Sequence, residues 1–162
     1  TSVSDYHIFL KLNKKRSQAM KDYLDVVTSI LEMGIIPRCH FEDVTRADIY
    51  GFCIPFAQEL MKLREQSGID VKIRLCDTMG YGVTYPGAAL PRSVDKLVYA
   101  FIHDAGVPGH LLEWTAVFCL GLEGAYALHG NDGLSGCPRR RSLVDFQRLF
   151  CDCFPGALSH SK

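Results

Sequence analysis

The stretch Val71-Lys-Ile-Arg-Leu-Cys-Asp-Thr-Met-Gly-Tyr-Gly-Val-Thr-Tyr-Pro86 constrains the fold more than any other part of the chain. Val71, Ile73 and Leu75 alternate with Lys72, Arg74 and Cys76, the period-two pattern of a strand with one apolar face. Gly80, Gly82 and Pro86 then break regular structure, and a helical pattern resumes after Ser93. The unit is a strand, a glycine-rich loop and a helix. Parity puts Thr78 on the face of Lys72, Arg74 and Cys76, and Asp77 on the apolar face. In an α/β barrel the loops that follow the strands build the active-site end. If the apolar face meets the helices, Thr78 points to the barrel axis at its mouth. Asp77-Thr78 also suits a plain turn cap, because both are common turn residues.

The unit recurs. Residues 1–12 read as the end of a strand and its loop, carrying Asp5 and His7. A helix follows, capped by Asn13 or Ser17, with Met20, Tyr23, Leu24, Val27, Ile30 and Leu31 at helical spacing. Gly34 ends it. Ile35 to Phe41 is the expected next strand. The second helix places Phe52, Phe56, Leu60 and Leu63 near one face, tolerates Pro55 only in its first turn, and stops at Gly68. The third shows Val94, Leu97, Val98, Phe101, Ile102 and Ala105 and stops at Gly106. Leu111 to Trp114 begins a further strand. Strand starts lie 36 and 40 residues apart, from Ile35 to Val71 to Leu111. That is the size of βαβ units, which give parallel sheets with right-handed crossovers. From pattern alone, a doubly wound sheet and a segment of a barrel both remain open.

Composition excludes several classes. Eighteen basic residues balance eighteen acidic ones, which argues against a nucleic-acid or anionic-membrane surface. No apolar run approaches the roughly 20 residues that span a bilayer. The first residues have neither a basic start nor an apolar segment of a secretory signal, nor an initiator Met, so the chain is expected to begin inside a longer protein. The chain has seven cysteines. Cys39, Cys53 and Cys76 fall within strand or helix patterns and are expected to be free thiols in a reducing cytoplasm.

After Trp114 the character changes. Residues 115–162 hold four of the seven cysteines and a single lysine, at the last position. Two weak helical patterns flank Gly130, Gly133, Gly136, Pro138 and Arg139-Arg-Arg141. The arginine run reads as a solvated surface, and Cys151-Asp-Cys153 alone is a weak metal signal.

Three segments in the first 114 residues carry a resemblance: Ser4-Asp-Tyr-His7 with Lys11-Leu12, Cys39-His-Phe-Glu-Asp43 with Arg46-Ala-Asp48, and Cys76-Asp-Thr-Met-Gly80 with Pro86. Together they resemble the barrel of the Claisen-condensing acyltransferases. These are 2-isopropylmalate, homocitrate, citramalate and Re-type citrate synthases, with hydroxymethylglutaryl-CoA lyase as a relative. The resemblance implies an α/β fold, a partial (β/α)8 TIM barrel of about strands four to seven over residues 1–114, with an atypical C-terminal tail over 115–162. It implies acetyl-CoA and a 2-oxo acid as partners, a divalent metal (Mg, Mn or Zn) in the intact family, and often a homodimer. It makes Thr78 the hydrogen-bond donor to the 2-oxo acid carboxylate, and Glu42 a glutamate near acetyl-CoA. His7 becomes a histidine close to the substrate, so that Glu42 and His7 are the catalytic candidates. His40, where many members have serine, and Arg46 join Thr78 as substrate-binding candidates. A plainer account pairs Glu42 with Arg46 and leaves His7 in an ordinary loop.

The departures are as informative. The family's metal aspartate belongs to an Asp-Arg-Glu motif on a strand that would precede Thr1. Its metal histidines belong to a His-x-His-Asn-Asp motif after the seventh strand, where this chain reads Glu113-Trp-Thr-Ala116. His129-Gly-Asn-Asp132 echoes that motif with one histidine, fifteen residues past Trp114, and is read as a chance echo. The chain is therefore expected to bind no metal itself, since such centres need several ligands in fixed geometry. It is expected to be an inactive fragment of such an acyltransferase whose reading frame was interrupted just after Trp114. The alternative is a non-catalytic remnant that binds a partner chain.

Overall fold

The computed structural model describes residues 1–85 and 87–116. Residues 117–162, which hold His129 and all of the expected tail but Thr115 and Ala116, and Pro86 of the glycine-rich loop lie outside the described residues.

The fold is mixed α/β around a parallel three-stranded sheet in the order β1-β2-β3, with β1 Arg38–Glu42, β2 Lys72–Asp77 and β3 Leu112–Ala116. Arg38 pairs with Lys72 and Glu42 with Cys76, while Ile73 pairs with Leu112 and Leu75 with Trp114. Each strand lies slightly C-terminal to its sequence expectation. Ile35 and Ile36, expected in the first strand, are more than half exposed in the preceding loop, and Leu111 sits in a short 3-10 turn. Apolar residues at a strand entrance extend the alternation without joining the ladder. The N-terminal segment adds to the sheet as expected: Ser2 bridges Glu42 in parallel, Val3 N–H donates to Glu42 O, and Glu42 N–H to Thr1 O. The rest of the expected loop differs, because Tyr6–Lys11 coils into a π-helical turn.

Helix α1 spans Arg16–Glu32, α2 Ile54–Ser67 and α3 Val94–Tyr99. The expected Asn13 or Ser17 cap on α1 is absent: Lys15 occupies the cap without a side-chain bond, and Asn13 takes a left-handed backbone. Ser93 does cap α3, accepting from Lys96 N–H. Pro55 falls in the first turn of α2, which runs on directly from a π-helical turn, Ile49–Cys53. Gly68 ends that helix with φ 68°, a left-handed cap that a Cβ disfavours.

The sheet has two unlike faces. Phe41 on one face stacks on Phe56 of α2 at 5.0 Å and meets Phe101 edge-on at 5.4 Å. Ile73 and Leu75 are fully buried beside it. The opposite face carries His40, Glu42, Arg74, Cys76, Glu113 and Thr115, all partly exposed. Here Glu113 binds Arg38 at 3.0 Å and Arg74 at 2.7 Å across the strands. This arrangement is consistent with a segment of a barrel whose interior face is polar. Cys39, Cys53 and Cys76 are free thiols, and burial pushes the Cys39 thiol up to about 11. Among the described residues no helix is long and apolar enough to cross a membrane.

Candidate active site

Parallel pairing sends the chain out of every strand at the same end of the sheet, so the loops that follow converge there. Ser4 and His7 follow the N-terminal segment, Asp43 to Arg46 follow β1, and Asp77 to Gly82 close β2 and begin its loop. Two buried carboxylates organise this end.

The first is Asp43, which is wholly buried. Ser4 Oγ donates to its Oδ2 at 2.5 Å. Arg46, one 3-10 turn on, donates from Nε to Oδ1 at 2.8 Å and from a terminal nitrogen to Oδ2 at 2.6 Å. The bond to Asp43 is the main reason the Arg46 guanidinium holds its proton more tightly than usual. The same guanidinium lies 4.7 Å over the ring of Tyr6, a cation–π contact. His7 Nε2 stands 3.9 Å from Asp43 Oδ2, and its Nδ1 is buried without a hydrogen-bond partner among the described residues.

The second is Asp77, only 3% exposed. Thr45 Oγ1 donates to it at 2.8 Å, and the backbone N–H groups of Tyr81 and Gly82 donate at 2.9 and 2.8 Å. Asp77 therefore does cap the glycine-rich loop. A Cβ on Gly82 would stand 2.9 Å from Asp77 Oδ2 and 3.1 Å from the Trp114 ring, which is why this position takes glycine. The loop closes further on, where Val83 bridges Ser93.

The two clusters are laced together. Thr45, from the Asp43 loop, reaches Asp77. In return, the Asp43 N–H donates to Thr78 Oγ1 at 2.8 Å.

The structure thus brings His7, Arg46 and Thr78 together around Asp43. Glu42 does not pair with Arg46, contrary to the plainer sequence account. Its side chain lies on the polar sheet face and accepts from Ser2 Oγ at 2.9 Å. The left-handed backbone at Asp43, φ 64° and ψ 35°, turns the Asp43 carboxylate rather than that of Glu42 toward the arginine. His40 is set back: it pairs with Arg74, one layer deeper than Glu42. Partial burial, with Arg74 adding to it, holds its imidazole below the usual pKa. Sequence reasoning passed over Asp43, Ser4 and Thr45. The available signal was Asp43 three residues before Arg46, the spacing of a turn. Among the described residues no group of three or more His, Cys, Asp or Glu is placed to hold a metal ion.

No family model matches the chain. Among curated proteins, it is 80% identical over 114 residues to a Citrate (Re)-synthase of Syntrophus aciditrophicus, covering 70% of this chain and 18% of that protein. It is 50% identical over 113 residues to the Citrate (Re)-synthase of Clostridium kluyveri, covering 70% of this chain and 25% of that protein. It is 40% identical over 101 residues to a 2-phosphinomethylmalate synthase of Streptomyces hygroscopicus, covering 60% of this chain and 23% of that protein. The chain thus spans about a quarter or less of the length of these relatives. Over the residues it shares with them, the chain belongs to the family of Re-type citrate synthases and 2-isopropylmalate-type synthases.

Proposed function

We propose that the chain is part of an acyltransferase that condenses acetyl-CoA with a 2-oxo acid, and that it supplies the corner that binds the acid. The observation that carries this reading is the 80% identity over 114 residues to a Citrate (Re)-synthase. Citrate contains the carbons of an acetyl group and of oxaloacetate, so oxaloacetate is the acid we assign. In such a condensation the acetyl methyl loses a proton and its carbon bonds to the ketone carbon. The ketone oxygen takes up a proton, and water then cleaves the thioester to release the CoA thiol.

The geometry supports the acid-binding part. Thr78 sits at the C-terminal end of a parallel strand, where ligands bind in such folds. A hydroxyl that accepts one hydrogen bond keeps its own proton to donate, and Thr78 accepts from the Asp43 N–H. Arg46, partly exposed, is paired with the same Asp43. His7 and Glu42 remain the candidates for proton transfer, His7 at the mouth and Glu42 on the face below. Among the described residues no group fits the divalent metal that the resemblance implies, so no step here is routed through it. We also propose the cytoplasm as its location, consistent with three free thiols, and an interrupted frame after Trp114. Translation of the source DNA in the other two frames tests that break, and a His-x-His-Asn-Asp motif following the Trp114 codon would establish it.

Titrating the full chain with oxaloacetate, pyruvate and 2-oxoisovalerate, observed by NMR, tests the acid site. Shifts at Thr78, Arg46 and His7, with affinity about tenfold weaker in Thr78→Val for one lost hydrogen bond, are the expected result. A thiol-release assay with acetyl-CoA, the same acids and added Mg²⁺ or Mn²⁺ is expected to stay at background. Robust turnover would show a complete site within the chain, and shifts confined to other residues would overturn the acid-binding assignment.

A further inference from the structure

The resemblance gives Asp43 no role, yet more of the loop end converges on it than on any neighbouring side chain. It is wholly buried, and it holds a left-handed backbone, φ 64° and ψ 35°. A non-glycine residue adopts that region at a cost, and such strained positions gather at functional sites. Its side chain is engaged by Ser4 and Arg46. Its N–H points across to the next strand's loop, 2.8 Å from Thr78 Oγ1.

That last bond decides what Thr78 can do. A threonine hydroxyl has one proton to give and two lone pairs to accept with. The Asp43 N–H occupies a lone pair. The proton's one acceptor among the described residues is Cys76 O at 3.5 Å, the limit of a hydrogen bond. The hydroxyl is therefore set as a donor with its proton uncommitted. Had Thr78 no donor facing it, the hydroxyl could rotate to accept from a ligand instead. Asp43 thus turns the hydroxyl proton away from its own N–H and toward a ligand group that accepts, such as a carboxylate, while the second lone pair stays free.

We propose that Asp43 is a positioning residue. Its left-handed backbone aims its N–H at Thr78 and fixes that hydroxyl as the donor to the acid. Its carboxylate holds the turn in place through Arg46 and Ser4. The proposal rests on the acid-binding reading above. Asn and Gly tolerate the left-handed region whereas Ala does not, so three variants that all lack the carboxylate charge differ in the property that matters.

The test uses the full chain, with amide hydrogen exchange at position 43 and oxaloacetate affinity both read by NMR. In the unsubstituted chain the position-43 amide should be protected by its bond to Thr78 Oγ1. Thr78→Val should speed its exchange at least tenfold, while Thr78→Ser should leave it within about twofold. Asp43→Asn should keep that protection and bind oxaloacetate within about threefold of the parent, and Asp43→Gly, which loses the bonds to Ser4 and Arg46, should fall between Asp43→Asn and Asp43→Ala. Asp43→Ala should lose both by about tenfold. A carboxylate acting only to stabilise the fold would make all three variants alike in affinity. If Asp43→Ala does not fold, Asp43→Asn with and without Thr78→Val carries the test through the same amide. Exchange at position 43 that ignores Thr78→Val overturns the proposal. So does an Asp43→Ala variant that binds oxaloacetate as well as Asp43→Asn does. If the amide responds as expected but no variant, nor the parent, binds any 2-oxo acid, the positioning geometry stands and the acid-binding reading falls.

Discussion

Asp43 and Asp77 close neighbouring strands, one residue after β1 and at the last residue of β2, and both are buried. They are held by opposite means. Asp43 faces a cation, Arg46, and a side-chain hydroxyl, Ser4. Asp77 faces three neutral donors, two of them backbone N–H groups of its own loop. Asp43 therefore ties side chains from separate segments into one place, while Asp77 shapes a single loop. The contrast shows how one end of a sheet separates tasks: a charge pair sets the positions of the polar groups at the mouth, and a backbone-capped carboxylate sets the path of the loop that borders it.

The largest expected effect breaks the charged half. Arg46→Met leaves the buried Asp43 carboxylate without its cation and should cost about 3–5 kcal/mol. The measurement is the urea midpoint, followed by the fluorescence of Trp114, the one tryptophan in the chain. Adding Asp43→Asn to Arg46→Met should recover part of that loss, because the two residues are directly bonded and their effects do not add. If Arg46→Met is nearly neutral, the pair does not hold the turn and the contrast with Asp77 disappears.

Asp77→Asn comes next. It turns one acceptor oxygen into a donor that faces another donor, and should cost about 2 kcal/mol. The accompanying change should be faster amide exchange at Tyr81 and Gly82, with Arg46 unaffected. Disturbance at Arg46 of equal size would show that the two clusters act as one unit through Thr45 and Thr78. Gly82→Ala sharpens the same point with a smaller perturbation. Its Cβ must displace Asp77 Oδ2 or the Trp114 ring, at about 1–3 kcal/mol for overpacking, and the Trp114 emission should shift with it.

The smallest effect belongs to an exposed carboxylate, which calibrates the buried two. Asp48 accepts from the Gly51 N–H at 2.8 Å, and Arg16 bridges it to Asp5. The Gly51 bond first, then Arg16, holds the Asp48 carboxyl below its ordinary 3.8. Because the folded value is the lower one, its contribution is present above the unfolded carboxylate range and fades as the pH falls through the folded value. Asp48→Ala should cost about 1 kcal/mol near neutrality, as for a lost helix cap, and less in acid. Urea midpoints of both proteins at pH 7 and pH 2.5 check this, and a difference that grows in acid would contradict it.

Much of this was legible in the chain. Alternation in Val71 to Cys76, the stops at Gly34, Gly68 and Gly106, and Pro55 at a helix start depend on each residue's own backbone and its near neighbours. They therefore survive in the sequence as strand, loop and helix in the right order. The parity that separates Thr78 from Asp77 also follows from the pleat alone. Even the family was carried by three short motifs. What the sequence left open was partner choice. Arg46 lies within reach of both Glu42 and Asp43. Which one it binds depends on a left-handed turn at Asp43, a conformation that Asp adopts only in the right surroundings. Thr78 finds its donor 35 residues away, and His40 drops a layer below the site, because parallel pairing sets β1 against β2 in one register. Local preferences are properties of residues, so the sequence determined the elements. The orientation of a hydrogen bond belongs to two loops at once, so only the packed sheet decided which groups face the site.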